Sequence, residues 1–284
     1  MRFQSILPRL SRWGLRWLVI AAPFLSQGIA AATHDPAVGA ATPSARAALA
    51  TSQAALGRSA GDFQLYDTDG KTVRLSQFRG KPLVVSFIYT SCNHTCPVLT
   101  RHVAGVVRMA REALGTDSFA VVSVGFDSLN DTPERMQSFK RQQGIDLPDW
   151  RFLSADPATM KDLTNVMGFT YVASTKGFDH LAQTTVIDGD GVIYRQVYGE
   201  SFAAPSLVEP LKELVYGNRK DASAVDQWID GIRLFCTVYD PATGRYRFDY
   251  SVFIAALVGA TCLGGTAYFL VRAWAGTKPP VSPV

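Results

Sequence analysis

Apolar and polar positions divide the chain into an apolar stretch near each end and a central region of short, regular segments. Residues 251–271 hold no charged side chain. As a helix they span about 32 Å, close to the hydrocarbon thickness of a bilayer. Gly259, Ala260, Gly264 and Gly265 let such a helix pack closely in lipid. The pattern predicts a transmembrane helix over residues 250–272 and a short cytoplasmic tail, 273–284. At the other end Arg2, Arg9, Arg12 and Arg16 accompany a short apolar core, Trp17 to Phe24, and the small residues Ala30, Ala31 and Ala32 follow. That order marks residues 1–32 as an export signal, or an uncleaved anchor.

Between these ends, residues 58–217 alternate strand and helix patterns. Residues 63–66 and 73–75 flank Asp67-Thr68-Asp69-Gly70, a hairpin signal. Residues 83–89 form a continuous apolar run of strand length, as a buried central strand requires. Residues 97–114 fit a helix, with Val98, Leu99, Val103, Val106 and Val107 on one face. A second buried strand follows at 119–124. Asp131-Thr132-Pro133-Glu134 opens the next helix, with Asp131 or Thr132 as the cap and proline in the first turn. Asp156-Pro157 opens another, running to Met167. Residues 185–187 and 192–197 flank Asp188-Gly189-Asp190-Gly191, a second hairpin, and a helix over 203–216 stops at Gly217. This alternation predicts an α/β domain with a central mixed sheet flanked by helices.

The flanks are less regular. Residues 33–57 are alanine-rich with Pro36 and Pro43 and read as a tether with a short helix near 45–55. Residues 218–249 read as a juxtamembrane segment. Its Asp240-Pro241 and Thr243-Gly244 are turn signals, which suit either a plain connector or a surface docking on a membrane partner. The net charge of +4, with no basic stripe, argues against nucleic acid as a partner.

Chemistry concentrates in Ser91-Cys92-Asn93-His94-Thr95-Cys96-Pro97, which follows the first apolar run directly. Pro97 suits the first helical position and biases Cys96 away from helical angles, which places Cys96 at the cap. There the helix dipole favours the thiolate. The pair can be a disulfide staple, an exchanging redox pair or a clamp for a soft ion such as Cu(I). So short a ring stabilises little as a staple. Three intervening residues, where thioredoxin-type enzymes have two, leave room for an ion. A cysteine pair ending a central strand and opening a helix suggests a thioredoxin-like fold.

At this point the sequence resembles a known family. The run Phe87-Ile88-Tyr89-Thr90-Ser91-Cys92-Asn93-His94-Thr95-Cys96-Pro97 is similar to that of the Sco/SenC copper-binding, thioredoxin-like proteins. Leu75-Ser76-Gln77-Phe78-Arg79-Gly80-Lys81-Pro82 looks like that family's entry into the central strand. Val122-Ser123-Val124 with Asp127 and Asp131-Thr132-Pro133-Glu134 looks like its next signature, with Gly125-Phe126 departing slightly. Asp179-His180 before residues 185–191 looks like its metal histidine before a hairpin. The resemblance covers roughly residues 61–217 and fits a bacterial type with a C-terminal membrane anchor.

The resemblance implies copper held by Cys92, Cys96 and His180, as Cu(I) or, with a further ligand, Cu(II). Asp127 and Asp179 would order the loops around the metal, or serve as plain turn residues. His94 reads as exposed loop decoration, His102 as lying on another helix face, and His34 as incidental. Cys262 reads as a small apolar residue of the membrane helix, and Cys236 has no obvious partner.

Two functions compete. One is a copper metallochaperone supplying the dinuclear copper centre on the copper-bearing subunit of cytochrome c oxidase, held beside it by the anchor. It would draw on other periplasmic copper carriers and face the periplasm from the inner membrane. The other is a thiol-disulfide oxidoreductase reducing that subunit's cysteines, itself served by thiol reductants. Against the second, residues 181–184 lack the proline that thioredoxins place there, and His180 has no task. A peroxidase is disfavoured because no proline-threonine pattern with a partnering arginine precedes Cys92.

Overall fold

The computed structural model describes residues 43–175, 177–217, 229, 231–234, 236–241, 243 and 245–276. The export signal at 1–32, His34, the first part of the tether, residues 218–228 and the end of the tail lie outside the described residues.

Five strands form the central sheet in the order β5-β4-β3-β8-β9. They are β3 (Leu83–Ile88), β4 (Ala120–Gly125), β5 (Trp150–Leu153), β8 (Gln183–Ile187) and β9 (Ile193–Tyr198). β3, β4 and β5 are parallel, while β8 runs antiparallel to both β3 and β9. All six positions of β3 and of β4 are buried, which is why their sequences are continuous apolar runs rather than alternations.

Helices α2 (Thr95–Leu114), α3 (Pro133–Gln142), α4 (Pro157–Val166) and α5 (Pro205–Gly217) pack on this sheet. Thr132 caps α3 and Asp156 caps α4, each with proline in the first turn. A small hairpin of β1 (Gln64–Tyr66) and β2 (Thr72–Arg74) precedes β3. Register places Ser86, Ser123 and Thr184 on one face of the sheet. There Ser86 and Ser123 share a hydrogen bond of 2.9 Å, and the Trp150 indole donates to Ser123 at 3.0 Å. On the opposite face Phe87 stacks on Phe169, and the side chains of Gln183 and Gln196 both donate to the Met167 carbonyl.

Three features differ from the sequence reading. First, the described part of the tether is not loose. Helix α1 (Pro43–Gln53) packs on the domain, with Ser52 buried and bonded to the Tyr198 hydroxyl at 3.0 Å. Its end lies so close to Gly168, φ 66°, that a Cβ there would stand 2.7 Å from the Thr51 carbonyl oxygen. Second, α2 starts at Thr95 rather than Pro97. Cys96 is therefore inside the first turn, not at the cap, and Pro97 follows it. Proline is still tolerated because the first four N–H groups of a helix have no internal acceptor.

Third, the juxtamembrane stretch contains a hairpin of β10 (Thr237–Asp240) and β11 (Arg245–Phe248) that docks on the domain. Buried Lys212 of α5 donates to the Thr237 carbonyl at 2.9 Å and pairs with Glu209 at 2.7 Å. Glu209 in turn accepts the Tyr246 hydroxyl at 2.9 Å. The terminal helix α6 (Ser251–Gly276) runs past the expected end at 272. Arg272 continues it, donating to the Tyr268 hydroxyl one turn back. Over Ser251–Ala275 this helix is long and apolar enough to cross a membrane, and none of that window is buried within the protein.

Gly125 closes β4 against α3. A Cβ there would lie 2.6 Å from the Asp131 Cβ and 2.7 Å from the Met136 Sδ. Gly125→Ala is expected to cost about 2 kcal/mol of stability through overpacking, measurable as a lowered urea midpoint at unchanged slope.

Candidate metal centre

The cysteine loop leaves the end of β3 at Tyr89 and Thr90 and enters α2. The backbone dictates its tightness. The Cys92 N–H donates to the Tyr89 carbonyl at 3.1 Å, and His94 occupies the N-cap position without a capping side-chain bond. Because the first helical N–H groups need outside acceptors, the Cys96 N–H takes the Cys92 sulfur, at 3.3 Å. All four cysteines are free thiols, Cys92 half-buried and Cys96 buried.

The two thiols are electrostatically unequal. A hydrogen bond from Cys96, together with the N–H groups of Cys96 and His94 and the Tyr89 hydroxyl, overcomes partial burial and holds Cys92 down to about 5. Donation to Cys92 and burial push Cys96 far above the ordinary thiol range. The expectation that Cys96 is the thiolate is therefore reversed. Cys96 has the helix terminus, but its N–H groups point at Cys92, and the negative charge goes where the donors point.

Tyr89 was not distinguished from a core aromatic by sequence, yet it connects the parts of the site. Its burial and its bond to Cys92 raise it to about 12. Its hydroxyl also lies against Gly177, φ 115°, where a Cβ would approach it to 2.7 Å. Gly177 begins β7 (Gly177–His180), which pairs with β6 (Tyr171–Ser174) in a separate two-stranded sheet. His180 ends that strand. Its ring packs edge-on to Tyr89 and Phe126, with centroids 6.2 and 5.3 Å away, and beside Phe169 at 5.5 Å. Nδ1 stands 3.2 Å from the Leu181 carbonyl. A proton on Nδ1 satisfies that carbonyl and leaves Nε2 as the lone-pair donor.

Asp131 is the other residue whose role the sequence concealed. Fully buried, it accepts the Thr90 N–H at 2.8 Å, the Thr90 hydroxyl at 2.7 Å and the Asp127 N–H at 2.9 Å. Burial raises its carboxyl above the usual range despite these donors. Asp127 thus supports the cysteine loop at one remove, through its backbone, while its carboxylate accepts the Asn130 amide at 2.9 Å. Asp179 is exposed on β7, opposite Val172. His94 is exposed. His102 lies elsewhere, its Nε2 2.8 Å from the Phe202 carbonyl.

The structure thus brings Cys92 and Cys96 together and sets His180 on an aromatic rim that Tyr89 joins to them. Among the described residues, no group of three or more His, Cys, Asp or Glu is gathered closely enough to hold a metal ion.

A mixed sheet carrying a cysteine pair where its central strand turns into a helix is a thioredoxin-like protein. The SCO1/SenC family model matches residues 51–216, more than half of the chain, and the chain belongs to that family. A SCO1 protein homolog of Bacillus subtilis (strain 168) is 28% identical over 92 residues, 32% of this chain and 47% of the relative. The chain therefore spans about half the length of that curated relative. A SCO2-like protein of Rickettsia typhi is 23% identical over 144 residues, covering 48% of this chain and 68% of that protein. Among solved structures, a protein of Aquifex aeolicus VF5 proposed to act in electron transfer superposes with TM-score 0.52 at 28% identity, covering 60% of this chain and 99% of its own. A SCO1/SenC family lipoprotein of Bacillus anthracis shares the fold, with TM-score 0.51 at 23% identity over 56% of this chain and 96% of its own.

Alkylation of the reduced protein by iodoacetamide should modify Cys92 first. Its rate should climb through a midpoint near pH 5, where the thiolate forms, and stay nearly flat from pH 6 to 8. A midpoint near the ordinary thiol value of about 8.5 would contradict the charge asymmetry.

Proposed function

We propose that this protein is a membrane-anchored copper carrier that binds its cargo through Cys92, Cys96 and His180 and passes it to the dinuclear copper centre of cytochrome c oxidase during assembly. The observation that carries this reading is His180, packed against Tyr89 and Phe126 beside the paired thiols of the strand-to-helix corner, a third soft-metal donor that a redox pair does not need. One soft donor has its thiol held down to about 5, and a second stands beside it, to be deprotonated when a cation arrives. Two sulfurs and an imidazole form a donor set suited to Cu(I). Loading requires the β6–β7 hairpin to bring His180 toward the sulfurs, and release is the reverse movement as acceptor ligands replace them one at a time.

Two exposed apolar residues, one in the loop after β4 and one on β6, support a protein acceptor. Leu129, in the loop after β4, is 82% exposed, and Val172 on β6 is 68% exposed. Beside the cysteine loop a groove of about 160 Å³ is lined by Thr90, Ser91, Arg135, Ser138, Phe139 and Gln142. In this reading α6 is the anchor, and the domain faces the periplasm from the inner membrane.

The same asymmetry also suits thiol–disulfide exchange, which needs an accessible thiolate and a buried resolving thiol. The Cys92 sulfur would attack a partner disulfide, forming a mixed disulfide and releasing one partner thiolate. Cys96, on losing its proton, would then attack Cys92 and release the second. The partner gains two electrons, one of its sulfurs takes the proton that Cys96 gave up and the other is protonated from water, and this chain keeps the Cys92–Cys96 disulfide.

Cu(I) titration of the full chain against a competing chelator separates these readings. The carrier binds one ion, and Cys92→Ser or Cys96→Ser removes binding. His180→Ala should weaken it by more than about tenfold, since even residues behind metal ligands are worth that much. Unchanged affinity in His180→Ala, with brisk reduction of a disulfide substrate, would favour the exchange reading instead.

A further inference from the structure

Asp249 and Tyr250 alone separate β11 from α6, and that link is tied at both ends. The Asp249 N–H donates to the Cys236 carbonyl, and the Asp249 carboxylate accepts the Ser251 N–H at 2.8 Å. Phe248 packs on Tyr250 and on Phe253 of the helix, with centroids 4.8 and 6.0 Å apart. The hairpin itself is held to α5 by the Lys212, Glu209 and Tyr246 contacts. Cross-strand register puts Val238 opposite Arg247 and Asp240 opposite Arg245. These four share the face opposite buried Thr237 and core-packed Tyr246. Arg245 and Arg247 are exposed, and Val238 is 49% exposed. Arg247 pairs with Asp240, so two arginines and one aspartate leave this face with one net positive charge.

The height of this face follows from chain geometry. With α6 crossing the bilayer, its uncharged run places the hydrocarbon boundary near Ser251. Phe248 lies three residues earlier in the chain, a reach of at most about 10 Å. The headgroup layer is roughly 5–7 Å deep on each side. The end of β11 cannot leave the neighbourhood of that layer.

We propose that the outward face of the β10–β11 hairpin is a lipid-headgroup surface. Arg245, with the guanidinium N–H groups of Arg247 that Asp240 does not take, engages phosphates of anionic phospholipids, and Val238 with Tyr250 enters the interfacial layer. The domain is then seated on the membrane instead of swinging above it. This inference rests on α6 being the membrane anchor.

The test uses the full chain in vesicles of phosphatidylcholine alone or mixed with phosphatidylglycerol, with Val238 replaced by the photo-crosslinker p-benzoylphenylalanine. The expected product on illumination is a phospholipid adduct, more abundant with the anionic lipid. Each basic residue near an anionic surface is worth about fivefold, so Arg245→Gln with Arg247→Gln should lower the adduct yield by at least that factor. That variant should remain in the vesicles at alkaline pH and bind Cu(I) as before. Adducts to a second copy of the chain, or a yield indifferent to lipid charge and to both arginines, would overturn the headgroup surface while leaving the anchor intact. Release of the unmodified chain from vesicles at alkaline pH would overturn the anchor and this inference with it.

Discussion

Asp131 holds the cysteine loop where it is. Its carboxylate gathers both donors of Thr90 and the Asp127 N–H, joining the loop after β3 to the turn after β4. A buried carboxylate is costly unless its lone pairs are used, and here three donors use them. The arrangement has a steric condition, because Asp131 can approach only over a residue without a Cβ. Gly125 supplies it. What the sequence presents as a slight departure, Gly125-Phe126, has two structural roles: the glycine admits the carboxylate, and Phe126 packs against Tyr89 and His180.

With the loop fixed, the unequal thiols follow from where the backbone donors point. Dipole reasoning favours a thiolate near a helix start, but the direction of the N–H groups decides which sulfur benefits. Cys96 lies in the first turn and turns inward, so it meets apolar neighbours. Cys92, earlier in the chain, folds back over the exposed N–H groups and receives them. The same loop therefore holds a half-buried thiol whose pKa is lowered over a buried one whose pKa is raised. That pairing serves soft-metal capture and disulfide exchange alike, so the thiols by themselves do not select between the two chemistries. The selection falls to His180.

Much of this was legible in the sequence because it rests on local chemistry. The buried strands β3 and β4 announce themselves as apolar runs, and the caps Thr132 and Asp156 stand before their prolines. The cysteine loop, its position after the central strand and the histidine near the second hairpin could all be read. What escaped depends on contacts between distant segments. β6 and β7 are short, with surfaces neither buried nor regularly alternating. Tyr89 has the composition of a core residue and acts through its hydroxyl. The alternation Arg245-Tyr246-Arg247-Phe248 was visible, but four residues are too few to name a strand without the partner that pairs with them.

The thiols and His180 are carried by different parts of the fold. Helix α2 carries Cys96 in its first turn and also packs against β11, so a continuous element connects the thiol pair to the hairpin that leads into α6. His180 ends the separate two-stranded β6–β7 sheet, with two residues between it and central strand β8. It is retained by aromatic packing on Tyr89, Phe126 and Phe169. The proposed carrier would make use of this separation. In the proposed carrier two donors would come from the cysteine loop and the third from β7, so that an incoming ligand could replace the third without disturbing the other two. The proposed redox alternative would leave His180 without a task, because both of its reacting sulfurs are on the cysteine loop.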